Sequence, residues 1–386
     1  MTAPSHAVLL AKGWPPDGGG VERYGQQVAD AYATAGVRVD VVAPGPRSSG
    51  PSGRAAVHPV AGRRQAAVAV FMAATVAWQV VRGVARRSTW LTPGGVVHAT
   101  TWRTGLVAVA LGLHRSRPLI VTVHGREILG LGRTHRALRD VVLRKASVRV
   151  AVSPFTAAVA RAETGLSFTV ALNGTSVPAG VVAERADHRN AGPVRLLSVC
   201  RLERRKNLGA VLAAVHRLDG GCDVELVIVG EGPDRAALEA QAQALGVDHL
   251  VTFRGFVPDD ELWEEYRRAD VFVHPQLALD DGVDVEGFGL TIADAMAVGL
   301  PVIVGEAGGP GTIVGDSGGG IVIDGRDVEQ LTRAIAKLAA DADLRLTLGD
   351  KAAAFAATQL TWAAHVETIG DALATAGDAT TAGSGR

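Results

Sequence analysis

The chain has 386 residues, of which 47% are hydrophobic and 20% charged, with 47 glycines and a formal net charge of zero. This length and composition are enough for two domains with separate cores, and the abundance of glycine is typical of α/β proteins with many tight loops. No internal repeat of about 20–50 residues is visible, which argues against a solenoid or a propeller.

Cysteine content and apolar segments indicate the cellular compartment. Cys200 and Cys222 are the two cysteines, too few to cross-link a chain of this size, and they favour a reducing compartment. The segment MTAPSHAVLLAK has no basic residue before its short apolar run and is interpreted as a first strand, not as a signal peptide. The longest apolar stretch, residues 66–81, is shorter than the roughly 20 residues that a membrane-spanning helix needs. It is interpreted as a core helix with basic ends, and we predict a cytoplasmic protein.

The two halves of the chain differ in charge. Residues 1–190 contain 23 Lys and Arg against 9 Asp and Glu, a net +14, whereas residues 191–386 contain 16 against 30, a net −14. The basic half is compatible with an anionic membrane surface, which predicts peripheral contact at the inner membrane face. The basic residues concerned include Arg63, Arg64, Arg86, Arg87, Arg133, Arg136, Arg139, Arg144 and Lys145. Two domains that attract each other would show the same split. No recognition motif accompanies it, so nucleic acid is not predicted as a partner.

Short apolar runs rich in β-branched residues alternate with helix-like segments from the N-terminus to residue 177. The predicted strands are HAVLLAK, VRVDVVAP, VVHAT, PLIVTVHG and VRVAVS, with helices at residues 21–35 and 136–145. This alternation predicts a parallel sheet with crossover helices. The segment 178–193 has proline, glycine and charge but no periodicity, and is interpreted as a linker.

A second alternation occupies residues 194–360. Its predicted strands are VRLLSVC, VELVIVG, LVTFRG, VFVHP, PVIVG and GIVID, with helices at residues 207–218, 234–245, 259–268, 290–298 and 328–340. A last helix, at about 361–376, is expected to pack back on the first domain, and the tail 377–386 is expected to be disordered. The predicted fold is therefore α/β, with two Rossmann-like domains and an interdomain cleft. Ligands of such sheets bind beyond the carboxyl ends of the strands.

Two motifs of the N-terminal domain follow predicted strands. In GWPPDGGGVERY, the run from Gly18 to Gly20 precedes a helix, where glycines allow close backbone approach and free amides attract phosphate. This run is not GxGxxG, and an ordinary loop is the alternative. His124 ends the strand of VTVHG, where an imidazole either contacts a sugar hydroxyl or moves a proton, or is satisfied by the backbone.

A basic loop, LLSVCRLERRKNL, follows the first strand of the C-terminal domain. Arg201 and Lys206 frame it, and two cations at a strand end balance the charge of a departing diphosphate. Arg204 and Arg205 are interpreted as solvated, and a wholly solvated loop is the alternative.

The next two strand ends carry Gly230 in VIVGEGP and Gly255, Phe256 and Val257 in FRGFVPDDEL. Their exposed backbone either hydrogen-bonds the edge of a nucleobase or forms plain turns.

The segment EGFGLTIADAMAVGLPVI holds the strongest group of residues. Glu286 lies at a helix entrance, beside the amides of Gly287, Phe288, Gly289 and Leu290. A carboxylate next to phosphate-binding amides suits a ligand with hydroxyls and phosphate, as in a nucleotide sugar. Asp294 lies on the helix that follows. The DxD-like pairs at residues 223–225 and 341–343 are not placed at strand ends, and no zinc spacing occurs, so we predict neither a metal nor a cofactor.

Together these motifs resemble family 4 of the retaining glycosyltransferases, which have the two-domain GT-B fold. CRLERRKN matches the R-L-x-x-x-K signature of that family, and GGGVERY resembles its N-terminal glycine loop. EGFGLTIADAMAVGLPVI matches its E-x7-E motif, with Asp294 in place of the second glutamate. DVEGFGL followed by VIVGEAGGP is most similar to the branch that uses GDP-mannose to mannosylate phosphatidylinositol-type acceptors.

The resemblance implies a role for each matching residue. Glu286 would bind the hydroxyls of the donor hexose, Arg201 and Lys206 would neutralise the diphosphate, and Asp294 would hold the ribose. His124 would lie beside the 6-hydroxyl of the sugar. The residues that would present their backbone are Gly19 and Gly20 at the donor–acceptor junction, and Gly287, Phe288, Gly289 and Leu290 at the phosphates or sugar.

The function implied is metal-independent transfer of a hexose, with retention of configuration, from a nucleotide sugar to a small-molecule or lipid hydroxyl. One alternative is a UDP-sugar-dependent transferase that acts on a soluble natural product or cyclitol. A second is a non-catalytic nucleotide-sugar-binding protein, because Asp294 departs from the motif. A phosphorylase, an epimerase and a dinucleotide-dependent oxidoreductase are disfavoured; the last would need an early GxGxxG.

Overall fold

The computed structural model describes residues 4–14, 19–44, 55–60, 94–178 and 192–383. The chain forms two compact units: the first unit comprises Met1–Asn173 and Trp362–Arg386, and the second unit comprises Gly174–Thr361. The helix predicted at residues 66–81, the arginines at positions 63, 64, 86 and 87, and most of the predicted linker lie outside the described residues.

The first unit is built on a parallel sheet whose seven described strands have the order β3-β2-β1-β4-β5-β6-β7. The strands are β1 (His6–Leu10), β2 (Arg38–Pro44), β3 (Ala55–Val60), β4 (Gly95–Ala99), β5 (Leu119–Val123), β6 (Val148–Ala151) and β7 (Thr169–Val170). The described helices before residue 174 are α1 (Gly20–Thr34), α2 (Trp102–Ala110), α3 (Arg133–Lys145) and α4 (Pro154–Thr164). Every residue of β1, β4 and β5 is buried, as expected for parallel strands that helices cover on both faces.

The second unit repeats this plan, and its six described strands are parallel in the order β10-β9-β8-β11-β12-β13. The strands are β8 (Val194–Val199), β9 (Val224–Val229), β10 (Val251–Gly255), β11 (Val271–His274), β12 (Val302–Gly305) and β13 (Gly320–Ile323). The helices are α5 (Leu208–Leu218), α6 (Arg235–Leu245), α7 (Asp259–Arg268), α8 (Leu290–Ala297), α9 (Gly309–Ser317), α10 (Val328–Ala340) and α11 (Ala342–Gln359).

Both sheets have the strand order of the doubly wound Rossmann fold, so the predicted fold class is confirmed. In each sheet the order reverses next to the first strand, between β1 and β4 in the first unit and between β8 and β11 in the second. Ligands of such sheets bind at this reversal, outside the carboxyl ends of the strands. The loops concerned start at Ala11 and Thr100 in the first unit, and at Cys200 and Pro275 in the second.

The last helix, α12 (Trp362–Gly383), belongs to the first unit, where it packs on α1 and on strands β6 and β7. It continues beyond the predicted end near residue 376, into the segment expected to be disordered. Residues 377–383, GDATTAG, contain no proline, but their two glycines and two threonines are weak helix formers, and the sequence therefore did not predict this extension. No helix among the described residues is long and apolar enough to cross a membrane.

The ends of the neighbouring strands β8 and β9 approach so closely that a glycine is required. Gly230 follows β9 with a φ of 130°, and a Cβ atom added there would lie 1.9 Å from the carbonyl oxygen of Cys200. Its N–H donates to the carbonyl of Gly255, at 2.8 Å. Gly230 therefore has a structural role whether or not it also contacts a ligand.

Gly230→Ala should lower the free energy of unfolding by about 3 kcal/mol, since it adds a backbone clash to an unfavourable φ. Gly246→Ala is the matched control, because Gly246 also has a positive φ, of 73°, but nothing lies within 4 Å of an added Cβ. The control should cost about 1–2 kcal/mol. Urea unfolding measures both, and equal losses would show that the close approach to Cys200 is unimportant.

Candidate functional site

The centre of the second unit's site is an ion pair between two side chains that are far apart in sequence. Lys206 follows β8 and Glu286 lies in the loop before α8, and the Lys206 Nζ contacts the Glu286 Oε2 directly. The side chains are 9% and 18% exposed, respectively. Two predicted site residues are thus brought together at the carboxyl end of the sheet.

Arg205 is a third member of this cluster, and its interpretation as a solvated side chain was wrong. The side chain is 16% exposed, and its guanidinium lies 3.7 Å from Glu286, 3.5 Å from Asp284 and 3.1 Å from Glu203. The sequence shows only consecutive basic residues in a loop. It does not show which of them the turn directs inward.

The turn after β8 is held by Asn207. This residue has a left-handed backbone, with a φ of 58°, and its side-chain amide donates to the carbonyls of Pro275, at 3.1 Å, and Gly325, at 2.6 Å. The N–H of Lys206 donates to the carbonyl of Glu203, at 2.8 Å, and closes the turn. The loops after β8, β11 and β13 are therefore joined behind Lys206.

The backbone of Glu286 is held by the loop after β12. The N–H of Gly309 donates to the Glu286 carbonyl, at 2.9 Å, and Gly308, with a φ of 85°, packs so closely that an added Cβ would lie 2.2 Å from that oxygen. The GG of VIVGEAGGP therefore positions the catalytic-site candidate Glu286.

The electrostatics of the cluster keep Glu286 ionised. Burial raises the pKa of its carboxyl, but the charges of Lys206 and Arg205 outweigh burial and lower the pKa to about 2. An ionised carboxylate only accepts hydrogen bonds, so Glu286 is suited to bind hydroxyl groups.

His274, at the end of β11, is a neighbour that the sequence did not single out. Its ring is fully buried, and burial lowers its pKa to about 3, with a further contribution from Lys206. A neutral imidazole therefore lies within electrostatic reach of Lys206 and Glu286. The pattern VFVH, a histidine at a buried strand end, is the only sequence signal for it.

Other predicted residues have different surroundings. Arg201 is 70% exposed and its Nε donates to Glu203, at 2.8 Å. Asp294 is 1% exposed on α8, where its Oδ1 accepts a hydrogen bond from the Ser176 N–H, at 2.9 Å. Phe256 is 83% exposed and Val257 is buried. The predicted ligand contacts of these residues, and those of Gly230, Gly255 and the amides of Gly287–Leu290, stay predictions.

In the first unit the predicted residues Gly19 and His124 lie in two hydrogen-bonded groups at strand ends. The N–H of Gly19 donates to Glu22, at 2.8 Å, and Gly20 begins α1. Glu22 also pairs with Lys12, at 3.2 Å. The sequence did not single out Lys12; its signal is a lysine directly after the first strand.

His124 is anchored on both sides. Its backbone N–H donates to the carboxylate of Glu127, at 2.6 Å, and the ring Nε2 lies 2.8 Å from the carbonyl oxygen of Thr100. Since a carbonyl only accepts, Nε2 carries the proton. Burial lowers the pKa of the ring, so the imidazole is neutral at pH 7, with its lone pair on Nδ1.

Comparison with known proteins agrees with this geometry. The model for Glycosyltransferase Family 4 matches residues 18–177, and the model for Glycosyl transferases group 1 matches residues 183–355. The chain belongs to the family 4 glycosyltransferases. The resemblance inferred from the motifs is confirmed, and the enzyme transfers a sugar from a nucleotide-sugar donor.

Individual relatives support the same conclusion. The glycosyltransferase is 28% identical, over 93% of its length and 95% of the relative, to a GDP-mannose-dependent alpha-(1-6)-phosphatidylinositol monomannoside mannosyltransferase of Mycobacterium tuberculosis. Its fold is similar to that of sucrose-phosphate synthase from Thermosynechococcus elongatus, with a TM-score of 0.75 and 22% identity over 97% of this chain and all of that one. Anabaena HepE in complex with UDP gives a TM-score of 0.74 and 20% identity over 96% of this chain and all of that one. The predicted GT-B fold is thus confirmed.

Lys206→Met should destabilise the second unit by about 3 kcal/mol at pH 7, because it leaves a buried carboxylate with only the more distant Arg205. The pKa of Glu286 is lowered in the folded protein, so the pair contributes stability above pH 4.5 and loses it as pH falls towards 2. The difference between wild type and variant should therefore shrink as the pH is lowered through that range.

Urea unfolding at several pH values tests this prediction. Arg201→Gln is the control, since that side chain is 70% exposed and its loss should cost less than about 0.5 kcal/mol. A Lys206→Met variant as stable as the control at pH 7 would contradict the importance of the ion pair.

Proposed function

We propose that this glycosyltransferase transfers mannose from GDP-mannose, with retention of configuration, to a hydroxyl of a phosphatidylinositol-type acceptor. The observation that carries the proposal is the cluster of Lys206, Arg205 and Glu286, in which two cations and one carboxylate meet at a strand end. The name of the mycobacterial relative supports mannose, guanine and the lipid acceptor.

The cluster offers the groups that a sugar diphosphate needs. Lys206 and Arg205 supply charge for the diphosphate, and that charge becomes more important as the leaving group departs. In the free protein the Glu286 carboxylate is paired with the Lys206 ammonium. A bound phosphate would compete for that ammonium and release the carboxylate to accept hydrogen bonds from two sugar hydroxyls.

In the proposed reaction the acceptor oxygen forms a bond to the anomeric carbon on the face from which the diphosphate leaves. The bond between that carbon and the phosphate oxygen breaks, and the proton of the acceptor hydroxyl moves to the departing phosphate oxygen. Atoms and charge balance without a cofactor. The protein contributes orientation and charge stabilisation, and His124 is proposed to accept a hydrogen bond from a hydroxyl of the transferred sugar.

Thermal unfolding with GDP and with UDP tests the choice of donor. At equal concentration GDP should raise the Tm more than UDP, because the nucleotide that binds more tightly stabilises the folded state more. A ligand that binds the folded state alone stabilises it by about 2.7 kcal/mol at 100 times its Kd. Incubation with GDP-mannose and a phosphatidylinositol acceptor should give an α-mannoside in the NMR spectrum. A larger shift with UDP would favour a UDP-sugar-dependent transferase acting on a soluble acceptor.

Glu286→Gln separates donor binding from transfer. The variant keeps both cations, so GDP should still raise the Tm, whereas mannosyl transfer should fall by about 100-fold because the neutral amide binds the sugar hydroxyls less well. Asp280→Asn is a matched control, since Asp280 is an exposed acid in the same loop. Full transfer by the Glu286→Gln variant would refute the assignment of the site.

A lipid acceptor requires contact with a membrane surface, and α3 has the appropriate chemistry. Leu138 and Val141 are 40% and 48% exposed on this helix. The exposed basic residues around them are Arg133, Arg136, Arg144 and Lys145. The exposed face thus combines two apolar side chains with four positive charges, a pattern typical of helices at anionic lipid.

Arg139, also predicted as part of the basic surface, is instead 1% exposed. Its guanidinium donates to the carbonyls of Ile128, at 2.8 Å, and Glu163, at 3.2 Å. It anchors α3 to the unit and does not contribute to the exposed face.

Vesicle co-sedimentation tests the role of α3. The enzyme should bind vesicles that contain phosphatidylserine, and Leu138→Glu/Val141→Glu should weaken binding at least about tenfold, because each acid opposes both insertion and the lipid charge. Arg333→Gln/Lys337→Gln on α10, which removes two exposed basic residues of the second unit, is the control and should bind as wild type does. Equal binding by the three proteins, or none, would reject α3 as the contact.

A further inference from the structure

A continuous chain of buried hydrogen bonds lies next to His124 in the first unit. We call it the Tyr24 chain; its members, in order, are the Leu172 carbonyl, His365, Tyr24, Thr122, His98 and Tyr32. The five side chains are at most 2% exposed. They come from α1, β4, β5 and α12, so the chain links the start of the unit to the C-terminal helix.

One end of the Tyr24 chain determines the direction of its first hydrogen bonds. His365 Nδ1 lies 3.0 Å from the Leu172 carbonyl oxygen, which only accepts, so Nδ1 carries a proton. Burial lowers the pKa of His365 to about 4, so the ring is neutral at pH 7 and Nε2 must accept. Its partner, at 3.0 Å, is the Tyr24 hydroxyl, which therefore donates to His365.

The remaining members follow from this assignment. The Tyr24 oxygen is left to accept from Thr122, at 2.9 Å, and Thr122 is then left to accept from His98 Nε2, at 2.8 Å. His98 is neutral because burial lowers its pKa to about 3, so its Nδ1 accepts from the Tyr32 hydroxyl, at 3.1 Å. Each of these five contacts uses one proton, and the five side chains supply one proton each.

Tyr24 connects this chain to His124. The two rings meet edge to face, with centroids 4.8 Å apart and planes at 80°. The other side of the His124 ring is fixed by its hydrogen bond to Thr100. A shift of the Tyr24 ring would therefore remove one of these two contacts and leave the imidazole held by its hydrogen bond to Thr100.

We propose that Tyr24 is a positioning residue for His124, and that His365 of the C-terminal helix keeps Tyr24 in place. The five-membered chain holds the Tyr24 ring in one position, and Thr100 holds the His124 tautomer in which Nδ1 accepts. The contact between His124 Nδ1 and a sugar hydroxyl rests on the proposed function. The fixed position of the His124 ring is independent of that function.

Histidine tautomers in the labelled full-length enzyme provide the first test. Long-range 1H–15N spectra should show the proton on Nδ1 in His365 and on Nε2 in His98 and His124. The opposite tautomer in His365 or His98, or a charged ring at pH 7, would overturn the chain. This readout does not depend on transfer.

Two matched substitutions provide the second test. Tyr24→Phe and Tyr32→Phe each remove one buried hydroxyl from the same helix, but only Tyr24 contacts His124. Tyr24→Phe should shift the His124 resonances and lower kcat about tenfold, because a displaced imidazole contacts the sugar less well in the transition state, with the KM for the donor changed less than about threefold. Tyr32→Phe should shift His98, leave His124 unchanged, and keep kcat within about twofold.

The outcomes separate the proposal from a merely structural role. If both variants alter His124 and kcat equally, Tyr24 is not a specific positioning residue. If Tyr24→Phe does not fold, His365→Asn should produce the same shift of His124, because the shorter amide keeps a donor near the Leu172 carbonyl but has no atom at the position of the Nε2 that accepts from Tyr24. An unchanged His124 in that variant would overturn the proposal. If the wild type transfers no sugar, the proposed function fails, and the His124 resonances still decide the positioning role.

Discussion

The candidate site of the second unit depends on an electrostatic constraint, the pairing of Lys206 with Glu286 in a region that water reaches poorly. An unpaired buried charge lowers the stability of the fold because it loses its hydration, whereas a buried ion pair with good geometry recovers much of that free energy. Asn207 fixes the turn that carries the lysine, and Gly308 and Gly309 fix the backbone of the carboxylate. Because each partner depends on a different loop, the site is assembled only when the carboxyl ends of the sheet are correctly folded.

The Tyr24 chain of the first unit is built from neutral groups. The side chains of the Tyr24 chain carry no charge at pH 7, since burial keeps both of its histidines neutral. Neutral groups avoid the desolvation penalty of buried ions, but every proton must then have an assigned partner. The contrast suits the proposed roles: the second unit balances the charge of a diphosphate, and the first unit holds an imidazole that accepts a hydroxyl proton in a hydrogen bond.

Short-range patterns predicted the fold well, because strands and helices are determined by local periodicity. The helix predicted at residues 290–298 is α8, Leu290–Ala297, and the one at 207–218 is α5, Leu208–Leu218. Local periodicity cannot predict contacts between residues that are far apart in the sequence. Tyr24 and His365 are 341 residues apart, and their meeting depends on how α12 packs on α1. Arg205 was misjudged for the same reason, since a string of basic residues does not reveal which one a turn directs inward.

Asp294 shows how a departure from a family motif is accommodated. Its Oδ1 already binds the Ser176 amide, and the residue is 1% exposed among the buried neighbours of α8. A glutamate at this buried position would need room for one more methylene group, and overpacking of an interior typically costs about 1–3 kcal/mol. Since each carboxylate oxygen accepts two hydrogen bonds, the bond to Ser176 leaves Asp294 with acceptor capacity, and the substitution does not by itself argue for loss of catalysis.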